Sequence, residues 1–155
     1  MQSTVGESLQ SALVEYLVQP QLTDSEINEC LDPHYVALDP SVPSSKRLFL
    51  FFCGSYGHPG RQQLITRQAA RQGYHAINLC YLNSSKIAEY CRQSTDENCH
   101  EKVRSAIISG VNLLAKVLVT RANYIENRLV KLLRCLYLKQ PEQDWSVYVE
   151  GHLPE

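Results

Sequence analysis

The chain has 155 residues, enough for one domain with a moderate core and short for two. Charged residues make up 20% of it, the formal net charge is -1, and lysines and arginines are scattered, which argues against a nucleic-acid groove or a polybasic membrane patch. No stretch approaches the apolar length of a membrane span, and the first twenty residues lack the basic start and long apolar core of a signal peptide, so a soluble chain of unassigned compartment is expected.

Residues 7–18 place Leu9, Ala12, Leu13, Tyr16 and Leu17 at three- and four-residue spacings, which predicts an amphipathic helix stopped by Pro20. Thr23, Asp24, Ser25 and Glu26 have the form of a capping box, predicting a short helix to about Leu31, so that residues 1–33 read as a helical segment. His34 to Leu38 reads as a short strand. The turn-rich connection 39–45 then suits a hairpin-like return into the next strand.

The organising stretch is 47–81. An unbroken apolar run, 48–53, meets a glycine-rich turn, then a helix-like segment ending at Gly73, then a second apolar run, 75–81. Runs apolar at every position suit strands covered on both faces, and the segment between them is long enough for a crossover. Residues 82–100 read as a surface excursion. The spacing predicts helices over 101–119, divided near Gly110, and over 123–138, where Ile125, Leu129, Leu132, Leu133 and Leu136 form one stripe with Arg128 and Lys131 on its wet flank. Pro141 ends that helix, and Trp145 and Tyr148 should pack a last turn.

The chain contains six cysteines and no C-x-x-C pair. Cys91 and Cys99 bracket a polar, turn-forming segment that would suit a small disulfide loop in an oxidising compartment. Cys53 and Cys80 read as small buried hydrophobes, and Cys30 and Cys135 as helix residues. His58, His75, Cys80 and His100 do not form a spaced ligand set, so no metal is expected, and no cofactor is called for.

Gly54, Gly57 and Gly60 let the backbone turn sharply at the carboxyl end of a strand, the place where ligands bind in such sheets. Amides there suit either a phosphate or an oxyanion hole, with the backbone N–H of Ser55 or Tyr56 as donor; a plain strand-to-helix turn is the unliganded alternative. The spacing is not that of a dinucleotide fingerprint, and no acidic residue ends the second strand. Ser55 and His58 sit too close on one loop for a triad, and no third group orients the imidazole.

These blocks together resemble the N-terminal portion of an α/β-hydrolase-fold protein, in a bacterial and plant group with a strand, P-G-T-G-G, a helix, then G-Y-H-x-I-x-L-x-Y. Here they read as residues 48–60 and 73–81, followed by the cysteine-bounded loop, the segment 104–110 and the run from Asn123 to Leu129, closed by Trp145. The resemblance covers roughly residues 34–155. It implies an α/β fold, a partial three-layer α/β/α sandwich with a small, mostly parallel sheet. It also implies a single, truncated domain that stops before the G-x-S-x-G nucleophile elbow, the acid and the histidine.

Gly54 and Ser55 align with the family's Gly-Thr, making the Ser55 amide, with Tyr56, the oxyanion candidate. Cys53 stands in place of the proline, and Tyr56, Gly57 and His58 in place of Gly-Gly. The chain alone is then expected to be inactive, and an ester-type substrate is expected only for a completed protein. Two alternatives remain: a noncatalytic module that self-associates through an exposed sheet edge, and a small phosphate- or nucleotide-binding domain.

Overall fold

A computed structural model describes residues 12–84, 89–110 and 119–149. Four strands form one mixed sheet: β1 (Val14–Val18), β2 (His34–Leu38), β3 (Leu48–Phe51) and β4 (His75–Asn78), in the order β1-β2-β4-β3. β1 with β2 and β2 with β4 are antiparallel; β3 with β4 is the parallel pair. The sheet is thus mixed where a mostly parallel one was expected. β2 does not return as a hairpin into β3, because β4 lies between them. The reason lies in burial: β2 and β4 are covered at every position and take neighbours on both edges, whereas β3 is half-buried throughout.

The predicted helix over 7–18 is a strand in its described part. VEYLV alternates, with Val14, Tyr16 and Val18 toward the core and Glu15 and Leu17 outward. Leu17, counted in the helical stripe, is an exposed residue. Residues 7–11 lie outside the described region. The capping box also fails. Pro20 starts a single turn, α1 (Pro20–Thr23), and Asp24, in extended conformation, ends it. The Asp24 carboxylate accepts from the Glu26 N–H two residues on, an Asx turn in place of a cap.

The crossover from β3 to β4 holds α2 (Leu64–Arg71), closed by Gly73 at φ 91° with its N–H on the Ala70 carbonyl. A Cβ at Gly73 would come within 2.3 Å of the Pro43 carbonyl oxygen, so glycine is required there on two counts. Ala69 and Ala70 of α2 pack on Tyr35, Ala37 and Ala76, small residues that let helix and sheet approach closely.

The opposite face carries Val36, Leu38, Ile77 and Leu79, packed against Leu132, Leu133 and Leu136 of the longest described helix. That helix spans Ile125–Lys139; α3, before it, spans Cys99–Ser109, so it is α4. Trp145, fully buried in the turn after Pro141, completes this core, in line with the expected last turn. Helices therefore cover both faces of the sheet. Gly110, at φ 69°, ends α3; residues 111–118 of the predicted 101–119 helix lie outside the described region.

The 82–100 excursion is less superficial than expected. Cys91 and Cys99 form a disulfide, and both are buried with Leu82, Val103 and Ile107 in a satellite cluster. The expected cysteine loop is therefore a hydrophobic element in its own right.

Candidate functional site

The glycine loop begins where β3 ends, and its conformation is set from outside. Tyr56 adopts φ 63°, and the Gly57 N–H returns to the Gly54 carbonyl at 2.9 Å, closing a tight turn around Ser55 and Tyr56. Asn83, beyond β4, grips that turn three times. Its side-chain amide donates to the carbonyls of Gly54 and Gly57, each at 3.0 Å, and its own carbonyl accepts the Tyr56 N–H at 3.0 Å.

The three glycines are not equivalent. A Cβ on Gly57 would stand 2.5 Å from that of Cys53, whereas Gly54 and Gly60 face open space. Below the turn, the Tyr81 hydroxyl donates to the Cys53 carbonyl at 2.6 Å, and the Asn78 side chain links the Cys53 thiol to the Gln62 carbonyl. A short 3₁₀ turn, Pro59–Arg61, separates the loop from α2, so the first residue of that helix lies several positions beyond the glycines.

Ser55 and Tyr56 are exposed on this turn. The Tyr56 amide is occupied by Asn83, while the Ser55 amide meets no acceptor among the described residues. His58 is not left unoriented, contrary to expectation, for its Nδ1 pairs with the Asp32 carboxylate. Both groups are about half exposed. Asp32 comes from the 24–33 segment, and no local sequence signal ties it to His58. The Cys53 thiol is raised above its ordinary pKa, first by burial, and stays protonated at neutral pH, as suits its reading as a buried hydrophobe.

The most connected polar group is Arg128, assigned by periodicity to a wet flank but fully buried. All five guanidinium N–H groups are used. Nε donates to the Asn123 carbonyl, Nη1 to the carbonyls of Cys30 and Cys80, and Nη2 to the Glu29 carbonyl and the Asn123 side-chain oxygen. Asn123, also fully buried, accepts the N–H groups of Asn28 and Glu29 and donates to the Asn28 side chain.

Cys30 is thereby a loop residue at φ 48°, not a helix residue; Cys135 does lie in α4. No carboxylate pairs with Arg128 among the described residues. It neutralises carbonyl dipoles and staples the 28–30 loop to the start of α4 and the end of β4.

His34, fully buried beside this group, accepts the Cys80 N–H on Nδ1 at 2.9 Å, which fixes its proton on Nε2. Burial, reinforced by the Arg128 charge, pulls its pKa down to about 3.

At the far end of the sheet a cavity of about 490 Å³ is lined by Val14, Leu38, Val42, Tyr74, Glu142 and Asp144, among others. His75, in its wall, is held on both nitrogens: Nε2–H donates to the Gln143 carbonyl at 2.6 Å, and Nδ1 faces the Tyr148 hydroxyl at 2.9 Å. His75 and His58 therefore belong to opposite ends of the parallel pair. Among the described residues no group of His, Cys, Asp and Glu is placed to hold a metal ion, and no helix is long and apolar enough to cross a membrane. No family model matches this sequence, and no curated protein or solved structure matches it either.

Proposed function

We propose that this chain is the oxyanion-loop portion of an α/β-hydrolase-type serine acyl hydrolase, with the nucleophile, acid and histidine contributed by further sequence. One observation carries the reading. The turn after β3 is held by three hydrogen bonds with Asn83, while Ser55 is an exposed residue whose N–H has no acceptor among the described residues. In such folds the loop between the third strand and its helix donates an amide to the tetrahedral intermediate. Ser55 would act through its backbone N–H alone, as an electrostatic partner for a developing oxyanion, and its hydroxyl has no part in the reaction.

The position of β3 agrees with this reading. It pairs with β4 on one side only among the described residues, and the further strand that carries a nucleophile elbow would lie along its other edge. The ester-type substrate would then meet a site completed across that edge. The test is turnover of an activated ester by the purified chain, with a fluorophosphonate as serine probe. No turnover and no labelling are expected; turnover blocked by the probe would overturn the proposal.

A second reading rests on the same edge. The half-buried LFLF of β3 offers unpaired backbone groups to another copy of the chain, making the protein a self-associating module without catalysis. Concentration-dependent dimerisation in sedimentation velocity would favour it, and a monomer throughout would count against it.

A further inference from the structure

The corner built around Arg128 sets the Cys80 thiol against the backbone of Cys30. The Cys80 Sγ donates to the Cys30 carbonyl oxygen at 3.1 Å. A carbonyl oxygen lies about 2.4 Å from its own Cα, so the Cys80 sulfur stands within about 5.5 Å of the Cys30 Cα. The same guanidinium nitrogen, Arg128 Nη1, holds the carbonyls of both cysteines, fixing their backbones relative to one another. Cys30 sits in the left-handed region and is only partly buried, packed against the cluster that contains the Cys91–Cys99 disulfide.

We infer that Cys30 and Cys80 are a modification site, closing to a second disulfide when a low-molecular-weight disulfide is supplied, and that this closure is felt at the glycine loop through Asn83. The chemistry balances as two exchange steps. The Cys30 thiolate attacks the small disulfide and expels one small thiol; the Cys80 thiolate then attacks the Cys30 sulfur and expels the second. Two protein thiols are oxidised and one small disulfide is reduced to two thiols. Cys30, the less buried, is the attacking group. Burial is the main cause that raises both thiols, Cys80 to about 12, so closure is slow at neutral pH and quickens as pH rises.

The coupling follows from Asn83. It stands three residues beyond Cys80, its carbonyl holds the Tyr56 N–H, and its side chain holds Gly54 and Gly57. Drawing the Cys80 sulfur toward Cys30 pulls on the short 80–83 segment whose last residue clamps the loop. This inference is independent of the acyl-transfer reading and stands or falls without it.

The experiment treats the folded chain, with its Cys91–Cys99 bond intact, with oxidised glutathione across a pH series, and reads intact mass and a non-reducing peptide map. Four free thiols are expected to become two, with the new link joining Cys30 to Cys80 and no glutathione retained. Cys30→Ser and Cys80→Ser, each checked for a cooperative thermal transition, should both abolish it. Hydrogen exchange at the Tyr56 and Gly57 amides should be faster in the oxidised protein.

A link to Cys53 or Cys135, exchange with Cys91 or Cys99, a stable glutathione adduct, or no reaction before the chain unfolds would overturn the site. Unchanged exchange at Tyr56 in the cross-linked protein would overturn the coupling.

Discussion

Arg128 donates through Nη2 to the side-chain oxygen of Asn123 at 3.1 Å, and these two buried residues, five apart on the chain, hold the 28–30 loop between them. The arrangement adds polar links to three parts of the chain that also meet through apolar contacts: the loop before β2, the entrance to α4 and the end of β4. Its strength comes from completeness, since every guanidinium N–H has an acceptor.

Removing that guanidinium should therefore cost more than an ordinary helix-surface change. Arg128→Met leaves the carbonyls of Glu29, Cys30, Cys80 and Asn123 without their donor in a buried place, and about 3 kcal/mol of stability should be lost. Arg128→Lys should recover only part, because an ammonium cannot fork to the two sides of Asn123. Urea denaturation of both variants checks this. A loss under about 0.5 kcal/mol, typical of an exposed residue, would return Arg128 to the wet flank.

The loop glycines should separate cleanly. Gly57→Ala must push against the Cys53 side chain and should destabilise by about 1 to 3 kcal/mol. Gly54→Ala and Gly60→Ala meet nothing and should stay within about 0.5 kcal/mol of the parent. Equal costs at the three positions, measured by thermal melting, would contradict the turn geometry.

Acid sensitivity should trace to His34. The folded protein resists protonating it until about pH 3, whereas the unfolded chain takes the proton near 6.5. Acid therefore favours the unfolded state. This contribution is complete above pH 6.5 and is lost as pH falls toward 3, at up to about 1.4 kcal/mol per pH unit. His34→Gln, whose side-chain oxygen can accept the Cys80 N–H, should flatten the urea midpoint between pH 6.5 and 4. Parallel curves for parent and variant would show that His34 does not control it.

The Cys91–Cys99 bond spans eight positions and should contribute about 2 kcal/mol by restricting the unfolded chain. Replacing both residues by alanine removes that restriction and two members of the satellite cluster. Loss of stability should centre on α3, which hydrogen exchange can resolve from the sheet. Uniform loss across the sheet would mean the cluster is no separate unit.

Much of the α/β frame was legible because burial writes itself into sequence. The largely apolar run at 75–81, interrupted by His75 and Asn78, marked a strand covered on both faces, and the stripe from Ile125 to Leu136 marked the helix that covers it. Gly73 marked the end of α2. The period misled where two patterns overlapped: Leu13, Tyr16 and Leu17 fit a helix, but Val14, Tyr16 and Val18 fit a strand, and pairing with β2 decided for the strand.

Arg128 was misplaced for a different reason. A helical period assigns a face, but whether a long polar side chain on that face reaches water depends on what packs there, and here the 28–30 loop does. Asn83 and Asp32, which shape the glycine loop and orient His58, are distant in sequence from the groups they hold and carry no local signal. Strand order was equally hidden, since nothing in residues 39–47 shows that the chain passes β4's place before forming β3.

The most direct test of the central claim, that this chain supplies the oxyanion loop of a serine acyl hydrolase, is to read the coding sequence downstream of the Glu155 codon in its source. An apolar strand followed by G-x-S-x-G is expected there, in frame or after a single shift. In the extended protein Ser55→Pro, which removes the amide donor, should lower kcat by about a hundredfold or more. A downstream sequence with no strand and no nucleophile elbow would contradict the account and leave the β3 edge as a surface for self-association.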